Sequence, residues 1–99
     1  EQVKIRGYRI ELPEVNTVIS HHNAVKDVIT LVVKNSSLEN RMVAFAVLKK
    51  NQDISIYELK DYCKDYLPPY AVPEKILLVE QFPLTSTGKV DRQSLIKLL

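Results

Sequence analysis

The sequence predicts an α+β fold: a small three-stranded sheet covered by helices on its faces, with an N-terminal β-hairpin. Three observations carry that prediction. Residues 2–12 alternate apolar with polar and change phase at Gly7. Residues 25–34 and 41–49 are apolar at odd and even positions alike. Helical spacing and cap residues then punctuate the chain between and after these stretches.

The front hairpin is dictated by its phase change. Val3 and Ile5 are apolar on odd positions, Tyr8, Ile10 and Leu12 on even ones. A two-residue Arg6-Gly7 loop resolves the switch. It pairs Ile5 with Tyr8 and Val3 with Ile10 on one face, and Gln2 with Glu11 and Lys4 with Arg9 on the other, because cross-strand partners share a face. Gly7 then occupies the second loop position, where φ > 0 is usual. Pro13 suits the first turn of a helix, where its missing N–H is not needed. Val15, Val18, Ile19 and His22 come next at helical spacing, which gives a short amphipathic helix over 13–22, with Asn23 as its stop.

The stretches 25–34 and 41–49 read as strands covered on both faces, joined by a polar loop at 35–40. Ser55 and Glu58 stand as N-cap and N3 of a capping box. The helix they open runs to about residue 67, with Ile56, Leu59, Tyr62, Cys63, Tyr66 and Leu67 turned inward. Pro68-Pro69 ends it, and residues 67–73 form a stiff, extended connector. A third strand spans 75–80. Asp91 is the N-cap of a terminal helix carrying Leu95, Ile96, Leu98 and Leu99.

Composition sets limits on function. The chain has 99 residues, 45% hydrophobic and 26% charged, an ordinary globular mixture. A net charge of +2, without a basic run interleaved with aromatics, argues against nucleic acid. One cysteine, Cys63, leaves no internal disulfide, and the cytoplasm is the expected compartment. No apolar run reaches the ~18 residues of a membrane span, so no membrane partner is expected. His21-His22 lacks an accompanying Cys, His or carboxylate cluster, so no metal site is assigned. Cys63 lies on the apolar helix stripe and reads as a core residue rather than a nucleophile.

The segment at 83–92, PLTSTGKVDR, is the stretch richest in chemistry. It is a polar loop between an apolar strand and the last helix. Gly88 allows a turn with φ > 0 and close approach of a ligand; Lys89 adds a compact cation suited to phosphate and carboxylate oxygens, expected at the tip of a mobile segment. A phosphate-binding P-loop is excluded, because Pro83 stands at the first glycine position and Val90 replaces the Ser/Thr that would ligate magnesium. Neither histidine pairs with a Ser or Cys nucleophile.

Three stretches in series resemble the C-terminal subdomain of adenylate-forming enzymes, the superfamily of nonribosomal peptide synthetase adenylation domains, acyl-CoA synthetases and luciferases. QVKIRGYRIEL at 2–12 resembles the motif next to the hinge. LPPYAVP at 67–73 resembles L-P-x-Y-M-x-P, and LTSTGKVDR at 84–92 resembles the last motif, N-G-K-V-D-R. The first points to the amino-acid adenylation branch. Pro13, Ala71 and Thr87 depart from that branch, where glycine, methionine and asparagine are usual.

The resemblance implies a role for each part of the chain. Residues 1–99 would be the C-terminal lid of an adenylation domain: hairpin 2–12, α/β core 13–82, lysine loop and last helix 83–99. The hinge residue would lie immediately before Glu1. The whole enzyme would use ATP and Mg²⁺, held mainly by a large N-terminal adenylation subdomain, to turn a small carboxylate or amino acid into an acyl-adenylate. It would then load the acyl group onto the phosphopantetheine thiol of a peptidyl carrier protein. Lys89, behind Gly88, would be catalytic, contacting substrate carboxylate and ATP phosphate in the first half-reaction. Gly7 would line the pantetheine channel in the second, with Lys4, Arg6 and Arg9 holding the carrier or its phosphate. This chain alone is expected to be inactive. The alternatives are the C-terminal subdomain of an acyl-CoA synthetase and a non-catalytic α+β binding domain.

Overall fold

The computed structural model describes residues 2–99. In chain order it contains β1 (Gln2–Ile5), β2 (Tyr8–Glu11), α1 (Leu12–Ser20), β3 (Val25–Lys34), β4 (Asn40–Leu48), α2 (Ile56–Tyr66), a 3₁₀ turn (Pro69–Ala71), β5 (Lys75–Leu78) and α3 (Arg92–Ile96). β1 and β2 form a separate hairpin, and β3, β4 and β5 form a three-stranded sheet in that order. β3 runs antiparallel to β4, and β5 runs parallel to it.

Both strand faces are covered, as the two-faced apolar pattern requires. Even positions Met42, Ala44 and Ala46 of β4 join one cluster with Val15 and Ile19 of α1, Leu59 and Cys63 of α2, and Ile5 and Ile10 of the hairpin. Odd positions Val43 and Phe45 join a second cluster with Leu31 and Leu95, flanked by Phe82 and Val90. Helices α1 and α2 with the hairpin thus cover one face. Helix α3 and the lysine-loop flanks cover the other. The buried Thr30 hydroxyl is satisfied by donating to Asn16 Oδ1 on α1, so this polar group sits in the core with a partner.

The sheet register and the caps agree with the sequence pattern, and the deviations have local causes. Helix α1 stops at Ser20 rather than running to 22, and Asn23 is not its stop. The His22 side chain takes over: Nδ1 accepts a hydrogen bond from Ala24 N–H at 3.0 Å. Ser55 Oγ accepts from Glu58 N–H at the start of α2. Only Leu59 and Cys63 of the expected inward stripe are fully buried. Ile56 is exposed at the first turn, and Tyr66 is 65% exposed at the last, its ring against Tyr62. β5 ends at Leu78, although Val79 N–H still donates to Ala46 O. In the last helix only Leu95 is buried, because the helix ends before Leu98 and Leu99, which stay exposed.

The 67–73 connector is not extended throughout. Pro69 sits at the start of a 3₁₀ turn, where its missing N–H is no loss, and Ala71 N–H donates to Pro68 O at 2.9 Å. The turn swings Tyr70 outward onto the hairpin. Beyond it, Glu74 N–H donates to Met42 O at 2.8 Å, Lys60 Nζ donates to Glu74 O at 2.9 Å, and Arg41 pairs with the Glu74 carboxylate.

Candidate functional site

Lys89 sits on a built turn. Gly88 N–H donates to Thr85 O at 3.0 Å, and Thr85 N–H donates to Lys89 O at 2.7 Å. This pair of bonds, with Gly88 at φ +88, defines a three-residue hairpin loop closed by a left-handed residue. Leu84 and Val90 bridge beneath it, Asp91 N–H donates to Pro83 O at 2.7 Å, and Lys89 N–H reaches Thr85 Oγ1 at 3.3 Å. Lys89 therefore lies on the returning arm, one residue past the turn, and not at its tip. Its side chain is exposed, while Val90 and Phe82 on either side of the loop seat on the sheet.

The arm continues into α3 through Asp91, whose Oδ1 accepts Ser94 N–H at 3.2 Å and whose Oδ2 accepts Ser94 Oγ–H at 2.9 Å. The Ser94 hydroxyl and then the Ser94 N–H hold the Asp91 carboxyl below the usual carboxylate range; slight burial opposes them. The cap fixes the direction in which the chain leaves Lys89.

The hairpin register is Gln2 with Glu11, Val3 with Ile10, Lys4 with Arg9 and Ile5 with Tyr8. Gly7 has φ +84, and a Cβ built there meets nothing within 4 Å. Its backbone thus faces open space, and within this chain the glycine is required by conformation alone. Arg6, the preceding loop residue, also takes a positive φ of 49. Two successive left-handed residues make a type I′ turn, and that conformation in a non-glycine residue was not legible from the alternation.

The expected cations do not converge. Lys4 and Arg9 share the polar hairpin face. Arg6 instead lines a cleft of about 480 Å³ with Lys60 and Lys64, which lie one turn apart on α2. Asn40 Nδ2, from the first residue of β4, donates to Lys4 O at 2.9 Å and ties hairpin to sheet. Lys60, Lys64 and Asn40 were missed by reading the sequence. The two lysines carry an i, i+4 signal that gains meaning only once Arg6 is placed beside them. Among the described residues no group of three or more His, Cys, Asp or Glu side chains stands together to hold a metal ion. No helix among them is long and apolar enough to cross a membrane.

A family model, the AMP-binding enzyme C-terminal domain, matches residues 14–89. The chain belongs to this family. Tyrocidine synthase 3 from Brevibacillus parabrevis is 43% identical over 94 residues, 95% of this chain and 1% of that protein. The chain spans only 1–2% of the length of such curated relatives. A crystal structure of a four-domain nonribosomal peptide synthetase bound to AMP and glycine superposes with a TM-score of 0.83 at 34% identity, over 94% of this chain and 7% of that one. An anthranilate CoA ligase in complex with anthranoyl-AMP superposes with a TM-score of 0.80 at 28% identity, over 98% of this chain and 19% of that one. The match ends on Lys89 of this AMP-binding C-terminal domain and begins after its hairpin.

Proposed function

We propose that this AMP-binding C-terminal domain is the mobile lid of an adenylation enzyme that activates a small carboxylate, in this branch an amino acid, and then loads it onto a carrier-protein thiol. The observation that carries the reading is Lys89, a cation displayed outward on a hydrogen-bonded turn. Attack of a carboxylate on the α-phosphate of ATP brings two anions together. A positioned ammonium between them offsets the repulsion and orients the attack. As the family resemblance implies, adenine, Mg²⁺ and acyl group are assigned to a large N-terminal subdomain. The open face of Gly7 is where a narrow phosphopantetheine arm would pass, and Arg6 with Lys60 and Lys64 would meet its phosphate or the carrier.

The test is ATP–pyrophosphate exchange by the full-length protein across a panel of amino acids, and then acyl transfer to a holo-carrier protein or to free coenzyme A. Carrier loading is expected. Efficient transfer to free coenzyme A would move the enzyme to the CoA-ligase branch, which the likeness to the anthranilate CoA ligase keeps in view. No exchange with any amino acid of the panel, and none when it is extended to other small carboxylates, would overturn the reading.

A further inference from the structure

We propose that Tyr70 is a positioning residue for the Arg6–Gly7 turn, its ring clamped on Tyr8 so that the hairpin is held in the pose the thiol needs. This role rests on the reading that the hairpin serves thiol loading.

The hairpin is a two-stranded sheet separate from the main one, and such a unit is marginal unless something fastens it. Three fasteners are present among the described residues. Ile5 and Ile10 plug the core, Asn40 holds Lys4 O, and Tyr8 stacks on Tyr70. Ile5 is buried where the chain enters the turn, directly before Arg6, and Asn40 holds the strand one residue earlier. The stack fastens the other side of the turn, because Tyr8 is the residue directly after Gly7 and the partner of Ile5. The rings lie 4.1 Å apart between centroids and 6° from parallel. Tyr8 and Tyr70 are 51% and 37% exposed, so the pair adds little to the buried core. What it adds is a geometric link between the start of β2 and the 3₁₀ turn. Tyr70 is itself anchored: it lies within the 3₁₀ turn that begins at Pro69, and the segment beyond is pinned through Glu74 to β4 and α2. The strained Arg6 conformation beside the stack needs such a restraint, since a left-handed arginine relaxes if its surroundings let it.

The experiment compares Tyr70→Ala, Tyr70→Phe, Tyr8→Ala and the Tyr8→Ala/Tyr70→Ala pair in the full-length protein. Single-turnover thiol loading at saturating carrier should fall about fivefold to tenfold in each alanine variant. The double variant should be no worse than either single one, and Tyr70→Phe, which keeps the stack, should load normally. Pyrophosphate exchange should be unchanged throughout. Amide hydrogen exchange of the hairpin turn should quicken in Tyr70→Ala and not in Tyr70→Phe. A loss confined to KM for the carrier would make Tyr70 a contact residue and overturn the proposal. Parallel loss of exchange would overturn it as a general folding defect, and so would unchanged turn protection. A wild type that forms adenylate but loads no thiol sinks the reading and this role together. Normal loading by both wild type and Tyr70→Ala sinks the role alone.

Discussion

Gly7 and Lys89 are carried by loops anchored on opposite faces of one three-stranded sheet. The hairpin of Gly7 is plugged by Ile5 and Ile10 into the α1/α2 side, whereas the loop of Lys89 is flanked by Val90 and Phe82 on the α3 side. A single active site cannot meet both faces of a rigid body at once. Under the proposed function, a lid turning on a hinge would present them in succession, if substrate and adenylate favour different orientations.

From this separation each residue is expected to serve one half-reaction. In the full-length protein, Lys89→Ala should depress pyrophosphate exchange by ~10²–10³, the worth of one oriented charge contact in a dry site. It should largely spare loading from a supplied acyl-adenylate. Gly7→Leu should do the reverse, but at φ +84 it also strains the turn by ~1–2 kcal/mol. Gly7→Asn is the cleaner variant, because asparagine tolerates that conformation while still filling the space. Both steps are measured separately for all three variants; equal loss of both steps would reduce the lid to a passive cover.

Acid should act on the arm that carries Lys89. The Asp91 carboxyl is held below its usual range by hydrogen bonds that exist only when folded. Its contribution is therefore present above about pH 4, the ordinary aspartate value, and is lost as pH falls through the depressed one. The Ser94 amide shift in a pH titration reports this. Asp91→Asn can still cap the helix and should remove the acid transition; if that variant shows the same transition, another group is responsible.

Cys63 is expected to behave as a core atom. It is fully buried on α2, and burial pushes its thiol up to about 11, against a small opposing pull from the Lys60 ammonium. A thiol that ionises more readily unfolded than folded favours the fold below its unfolded pKa of about 8.5. That contribution should fade as pH rises from there through the folded value of about 11. Iodoacetamide at pH 8 should leave Cys63 unmodified until urea unfolds the chain, with labelling and circular dichroism sharing one midpoint. Labelling well before that midpoint would point to local opening of α2.

Some of these features were legible in the sequence and others were not, for physical reasons. Alternation with a phase switch admits one register, so every hairpin pair was legible, and Ser55 and Asp91 were legible because caps are local chemistry. Exposure at helix ends depends on what lies alongside, which is why Ile56 and Tyr66 look inward on a helical wheel yet sit in solvent. The bond from Asn40 to Lys4 O joins residues 36 apart, and the Tyr8–Tyr70 stack depends on a 3₁₀ turn that a proline pair permits without announcing. Lys89 and Gly7 were legible as loop residues, but their placement on opposite faces is a property of the folded sheet.

Leu38 offers a test of the turn geometry that also bears on Lys89. The loop at 35–39 uses the same hydrogen-bond frame as the lysine loop: Leu38 N–H donates to Asn35 O at 2.9 Å, and Asn35 N–H donates to Glu39 O at 3.0 Å. The closing residue is left-handed in both, Leu38 at φ +60 and Gly88 at φ +88. Glycine takes that conformation freely; leucine does not, and Leu38 is 75% exposed, so packing returns little for the strain. Leu38→Asn should therefore stabilise the domain by about 1 kcal/mol in urea unfolding at unchanged slope. Leu38→Ala lacks the short polar side chain that lets asparagine bond locally in that conformation, while removing the same exposed apolar surface, so it should gain almost nothing. Gly88→Ala should lose about 1 kcal/mol by the same argument run in reverse. If the asparagine and alanine variants of Leu38 are equally stable, relief of left-handed strain is not what governs these turns, and the conformation around Lys89 must be held by something other than its glycine.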